Sequence, residues 1–381
     1  MKIVVFGLSI SSAWGNGHAT LLRGLFRTLH AGGDQIHFFE KDVPYYANHR
    51  DASSFPFAKL HLYTDWESVV RTAARELSDA DAGLVTSYCP DGAAACDLVL
   101  NSAVHRRVFY DMDTPVTLER LEAGHAVPYL PEYGLGGFDL VLSYTGGKAL
   151  NDLQSKLSAR CVATLYGWVD PDVYHRVDKA PSYQGNFSYL GTYSADRHTA
   201  FEQLLIEPAR RLPSKQFVVG GAMYPNPGRW PQNIRYFDHV APPDHTSFYS
   251  SCPLTLNITR RSMALMGYCP SGRLFEAAAC ETAVLSDWWE GLDTFFEPGK
   301  EILLASDMSD TVRAATLSGD KLRGIGRRAK ERALSCHTAD IRAKKLLRML
   351  ETPINEAITE LGSVSRPSAT QETVQPIGEG A

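Results

Sequence analysis

Short apolar runs recur along this chain with amphipathic helical patterns between them, an alternation that argues for parallel sheets flanked by helices. In the first half the predicted strands are Ile3–Phe6, Ile36–Phe39, Gly83–Thr86, Arg107–Tyr110, Leu140–Ser143 and Cys161–Leu165. A helix over Ala19–Ala31 carries Leu21, Leu22, Leu25, Phe26 and Leu29 on one stripe, with Gly32 and Gly33 as its stop. The periodicity lapses after Tyr166, and a polar stretch runs to Gly185. A second series follows: Phe187–Leu190, a helix over about 199–212, Phe217–Val219, Ile234–Phe237, Leu254–Asn257, Thr282–Leu285 and Ile302–Ala305. The expected fold class is α/β, with two doubly wound domains facing each other across a cleft. Its divisions are residues 1–166, a linker at 167–185, a second domain at 186–337, a helix at 338–361 and a disordered tail at 362–381.

The 381 residues suffice for about two domains of ordinary size. A net charge of −5 gives no support for a nucleic-acid partner. No run is apolar for long enough to span a membrane, and the opening MKIVVFGLSISSAWGNGH reads as a buried strand rather than a leader. Seven scattered cysteines without a CxxC pair suggest reduced thiols and a cytoplasmic protein. The twelve histidines show no HxxxH or HExxH spacing, so neither a metal nor a resident cofactor is expected.

The run PSGRLFEAAACETAVLSD, from Pro270 to Asp287, carries the sharpest chemistry. A loop of Pro270, Ser271 and Gly272 opens a short helix over Arg273–Cys280, whose free N–H groups and dipole suit a phosphate. Arg273 adds a cation there, and Glu276 offers a carboxylate to a pair of sugar hydroxyls. An ordinary α/β helix with a solvated Glu is the plain alternative. Arg260 ends the strand LTLNITRR, where a guanidinium can hold a diphosphate, and Arg197 and Lys300 are weaker phosphate candidates. Toward the amino end, Gly15, Asn16 and Gly17 open the first helix, with His18 at the cleft mouth. Here too a plain reading exists, an N-cap turn made by Asn16. Asp111 and Asp113, after the strand in FYDMDTP, are candidate bases or hydroxyl-orienting groups, or simply turn residues.

The segments GLSISSAWGNGHA, FFEKDVPYY, FYDMDTPVTLERL, YGWVDPDVY, LNITRRSM, PSGRLFEAAAC and SDWWEGLDTFFEPGKEIL together resemble the GT-B glycosyltransferases, specifically the CgeB-like group, over about residues 1–350. That resemblance implies two Rossmann-like domains, with a sugar-nucleotide donor held mainly by the second and an acceptor mainly by the first. It assigns Glu276 to the donor ribose, as the second glutamate of an E-x7-E pattern whose first position is Tyr268 here. Glu281 stands where a glycine usually follows, and a left-handed backbone there would cost a non-glycine about 1 kcal/mol. The expected activity is metal-independent transfer of a sugar from a nucleotide to a hydroxyl-bearing small molecule or saccharide. Asp111, Asp113 and His18 would serve the reacting groups, with Gly15, Asn16 and Gly17 near the acceptor or sugar. Arg197, Arg260, Arg273, Ser271, Gly272 and Glu276 would hold the donor. A sugar-nucleotide epimerase and a non-catalytic nucleotide-sugar binder used in surface or spore-coat assembly are the rival readings.

Overall fold

The computed structural model describes residues 1–352. The part of the expected C-terminal helix beyond 352, and the tail from 362, lie outside the described residues. Seven parallel strands make the first sheet: β1 (Lys2–Gly7), β2 (Gln35–Lys41), β3 (Lys59–Tyr63), β4 (Ala82–Thr86), β5 (Arg106–Asp111), β6 (Leu140–Ser143) and β7 (Val162–Thr164). Their spatial order is β3-β2-β1-β4-β5-β6-β7. The second sheet, also parallel, holds β8 (Phe187–Leu190), β9 (Phe217–Gly220), β10 (Ile234–Phe237), β11 (Leu254–Asn257), β12 (Ala283–Ser286) and β13 (Leu303–Leu304), in the order β10-β9-β8-β11-β12-β13. Each sheet reverses its winding beside its first strand, which opens a crevice for ligand at the carboxyl ends of the strands.

Both faces of each sheet are covered. Along β1, Ile3 and Val5 enter one core and Val4 and Phe6 the other, which is why the strand reads as continuously apolar. The helix Ala339–Glu351 returns to the first domain. Its Ala339, Ala343, Leu346 and Leu350 join Leu22, Leu25 and Leu29 of the helix Gly17–Ala31 in one core. Thr338 caps its start through the Ile341 amide at 3.4 Å, and Arg106 takes the Leu350 and Thr352 carbonyls at its end, at 3.0 and 2.8 Å.

Two local departures have physical causes. The helix that begins at His198 contains a π turn, Glu202–Ile206, directly before Glu207-Pro208; the wider turn removes the bond that Pro208 cannot donate. Glu281 has φ +58°, the left-handed conformation at the end of the helix Gly272–Ala279. Lys330 lies 3.2 Å from its carboxylate.

Candidate functional site

The carboxyl ends of the two sheets enclose a cleft of about 480 Å3. Gly15, Asn16, Gly17, His18 and Asp113 line it from the first domain, and Arg197, Arg260, Ser271, Gly272, Arg273 and Glu276 from the second. Asp111 does not line it. It is fully buried beneath, with Oδ1 accepting the Asp113 amide at 3.1 Å.

On the second-domain wall, the helix Gly272–Ala279 directs its amino end into the cleft. Its first turn holds no acidic side chain, and Ser271 makes no capping bond to it, so the end keeps its positive field. The Ser271 hydroxyl instead accepts from Arg273 Nε at 3.2 Å. Arg273 Nη1 donates to the Leu190 carbonyl at 2.7 Å, which fixes the guanidinium beside the loop after β8. Gly191 makes that approach possible, since a Cβ there would fall 2.4 Å from Arg273 Nη1. One turn along the helix, burial pushes the Glu276 carboxyl up to about 7 although Arg273 opposes the shift. The Tyr249 hydroxyl lies 3.4 Å from Glu276 Oε2. Arg197 donates to the Thr192 carbonyl and leaves Nε without a partner, and burial lowers its pKa. Arg260 Nε stands 3.9 Å from Asp196. Three guanidinium groups and a helix start therefore crowd one wall, a surplus of positive charge that a diphosphate would neutralise.

The opposite wall begins with the loop after β1, and Glu40 holds it. This buried carboxylate, on β2, accepts from the Ser9 hydroxyl at 2.8 Å, the Ile10 and Ser11 amides at 2.7 and 3.0 Å, and the Ser11 hydroxyl. Asn16 is used within the loop. Its Oδ1 caps the helix through the Ala19 amide, and its Nδ2 donates to the Ser9 and Ser12 carbonyls. Gly15 takes φ +59°, and the space a Cβ would occupy on Gly17 is open. Burial lowers the His18 imidazole to about 4, so it is neutral at ordinary pH, and its Nδ1 has no partner. Asp113 accepts from the Tyr88 hydroxyl at 2.8 Å through Oδ2 and leaves Oδ1 unpartnered. Burial raises its pKa, against opposing effects from the Tyr88 hydrogen bond and from Arg260 across the cleft. Burial also pushes Asp111 up to about 7. A neutral imidazole and a carboxylate with a free oxygen are both proton acceptors, placed opposite the cationic wall.

Other residues singled out in the sequence sit elsewhere. Lys300 pairs with Glu297 at 2.6 Å on an exposed loop. Tyr268, with φ +46°, does not line the cleft. Its ring packs against Gly147 and Gly291, and its carbonyl accepts the Gly146 amide at 3.0 Å, joining the domains. Sequence reasoning missed Glu40, Tyr88, Tyr174, Tyr249 and His245. For Glu40 the signal was available: a carboxylate inside the apolar strand run FFE demands buried partners.

Residues 197–348 match a family described as glycosyl transferase-like. Among solved structures, a sucrose-phosphate synthase from Thermosynechococcus elongatus is similar, with a TM-score of 0.63 at 12% identity, over 96% of this chain and 100% of that one. HepE of Anabaena, in complex with UDP and glucose, gives 0.61 at 11% identity over 92% and 99% of the two chains. An α-glucosyltransferase in complex with UDP gives 0.63 at 12% identity over 92% and 100%. No curated protein sequence matches the chain. The fold is GT-B: two Rossmann-like domains, each built on a parallel sheet.

Proposed function

We propose that this protein is a glycosyltransferase that moves a sugar from a nucleoside diphosphate to a hydroxyl-bearing small molecule or saccharide. The observation that carries the reading is the pairing of walls in one cleft: Arg197, Arg260, Arg273 and a bare helix start on one side, His18 and Asp113 on the other. In this reading residues 186–337 form the donor domain and residues 1–166 the acceptor domain, joined by 167–185. The signatures FYDMDTPVTLERL and PSGRLFEAAAC favour the CgeB-like branch.

Glu276 takes the ribose hydroxyls, and its neighbours Ser271, Gly272 and Arg273 take the diphosphate. Charge developing on the leaving diphosphate is met by guanidinium groups already fixed by carbonyl bonds, so they need little reorganisation as the glycosidic bond breaks. The chemical step in this reading needs no metal, because these cations supply the neutralising charge. Asp113 Oδ1 or His18 Nδ1 receives the acceptor proton, with Gly15 and Gly17 leaving room for the acceptor, Asn16 setting the loop and Asp111 supporting Asp113 from below. Three of the similar structures, all of an α-glucosyltransferase, hold UDP with DNA, yet the net charge of −5 favours a small or saccharide acceptor here. Among the described residues no helix is long and apolar enough to cross a membrane.

The test is thermal-shift and turnover screening of wild type and Glu276→Ala with UDP, GDP, dTDP, ADP, CMP and their sugars, UDP-sugars first. Stabilisation by one nucleotide series that Glu276→Ala loses, with sugar transfer or donor hydrolysis, is the expected result. Release of an epimer without acceptor would identify an epimerase instead, and binding without turnover a carrier. No response to any nucleotide would sink the reading.

A further inference from the structure

Far from the cleft, on the outer edge of the first sheet, three side chains from three elements converge. His37 stands on β2, His61 on the edge strand β3, and Glu76 on the helix Trp66–Leu77 that covers them. The parallel register sets Phe39 beside His61 and His37 beside Lys59, so the two histidines are diagonal neighbours on one face. The His61 ring is stacked on Phe39, with centroids 4.3 Å apart and planes within 5°, which fixes its direction. His61 Nε2 lies 3.3 Å from His37 Nδ1, and that same Nδ1 lies 3.2 Å from Glu76 Oε2. All three atoms fall within 4.8 Å of one another.

No tautomer gives His37 Nδ1 two full hydrogen bonds. If it carries its proton toward Glu76, that proton is at best shared with a lone pair on His61 Nε2. If it accepts from His61, its lone pair faces the Glu76 carboxylate. A cation at the centre removes the conflict, since all three atoms then act as donors of lone pairs. The separations of 3.2 and 3.3 Å also fit. Ligands about 2.0–2.1 Å from a tetrahedral zinc stand about 3.3 Å from each other. Lys2 and Lys59 oppose this, with Nζ atoms 2.9 and 3.6 Å from the Glu76 carboxylate. Lys2 also pairs with Asp79, so a partner remains for it when Glu76 Oε2 turns to a metal.

We propose that His37, His61 and Glu76 form a binding site for a divalent transition metal of the zinc class, pinning the edge strand β3 to β2 and to the helix over it. Imidazole with carboxylate suits zinc, cobalt or nickel and disfavours magnesium and calcium, which want oxygen alone. The site is independent of the transfer reaction proposed for the cleft. It escapes a search for sequence spacing because its histidines come from separate strands rather than from one helical turn.

The experiment uses the full chain, stripped with a chelator and titrated with zinc chloride and cobalt chloride. Expected are one zinc per chain, a rise in melting temperature, and a visible absorption band of tetrahedral cobalt. His61→Gln and His37→Gln should each weaken binding by more than about tenfold. A measurement on wild type alone guards against a variant that fails to fold: bound zinc should protect His37 and His61 from diethyl pyrocarbonate, read by mass spectrometry. Absence of stoichiometric binding in wild type, undiminished binding in both variants, or modification of the two histidines at saturating zinc would each overturn the proposal. Magnesium chloride is the comparison that should give no shift.

Discussion

The indole of Trp14 stacks on the imidazole of His239 with centroids 3.8 Å apart, and the contact crosses from the loop after β1 to the loop after β10. The His49 ring is stacked on the indole as well, at 4.8 Å, so two imidazoles pack on Trp14, one of them, His239, in the lining of the cleft. Trp14 is 36% exposed and adds little to either core. Trp14→Ala should therefore leave the melting temperature nearly unchanged while raising the donor KM several-fold with kcat largely retained. Steady-state kinetics with a saturating acceptor would decide it, and an unchanged KM would reduce the stack to packing.

Glu276 sets function against stability. Its usual pKa of 4.5 is raised to about 7 in the folded chain, so between those values the native state holds a proton that the unfolded chain has lost. Stability accordingly falls as pH rises through that window, and the cost persists above it. Glu276→Gln should gain on the order of 1–3 kcal/mol at pH 8 and almost nothing at pH 4, while losing nucleotide binding. Thermal unfolding at the two pH values, with a nucleotide titration beside it, tests both halves. Donor affinity of the wild type should also weaken as pH drops below about 7, because the carboxyl then stops being a pure acceptor.

Arg260 and Gly191 separate a charge from its placement. Arg260 has a side chain 39% exposed and one long ion pair, so Arg260→Ala should change stability by less than about 0.5 kcal/mol. It should nonetheless lower kcat/KM by about tenfold or more, through lost diphosphate neutralisation. Gly191→Ala keeps every charge but drives Arg273 away from the Leu190 carbonyl, and a comparable loss of activity is expected. A fully active Gly191→Ala would show that the position of Arg273 is unimportant.

Glu40→Ala should destabilise the chain by on the order of 2 kcal/mol or more, because the buried Ile10 and Ser11 amides lose their acceptor. Activity should fall further than stability alone explains, since the loop carrying Trp14 to His18 loses its anchor. Denaturant unfolding and kinetics on the same preparation measure the two effects.

The strands at the centres of both sheets were legible because they are apolar throughout. The edge strand β3 was not: KLHLY is half-exposed and mixes charged and apolar positions, so no apolar run marks it. The helix starting at Gly272 and its glutamate were legible through small residues and one acidic group at helical spacing. What the sequence concealed were relations between segments distant along the chain. Tyr88 beneath Asp113 is one example. Another is Tyr268, whose ring fills a gap between Gly147 and Gly291 that exists only once the domains meet. Asp111 and Asp113 part for a simpler reason: Asp111 is the buried last residue of β5, whereas Asp113 stands past the strand at the start of the helix Thr114–Glu122, and spacing alone does not show where the strand stops.

The chain passes between the domains twice, and the two passes lie side by side. The Val169 amide donates to the His337 carbonyl at 2.9 Å, and the Ala339 amide to the Val169 carbonyl at the same distance. The two crossings are thereby laced together at one place rather than spread along the interface. Thr352, the last described residue, is held to the first domain at Arg106, although the preceding stretch belongs to the second. The described part of the chain therefore both starts and finishes on the first domain, and the second is an excursion between two neighbouring crossings.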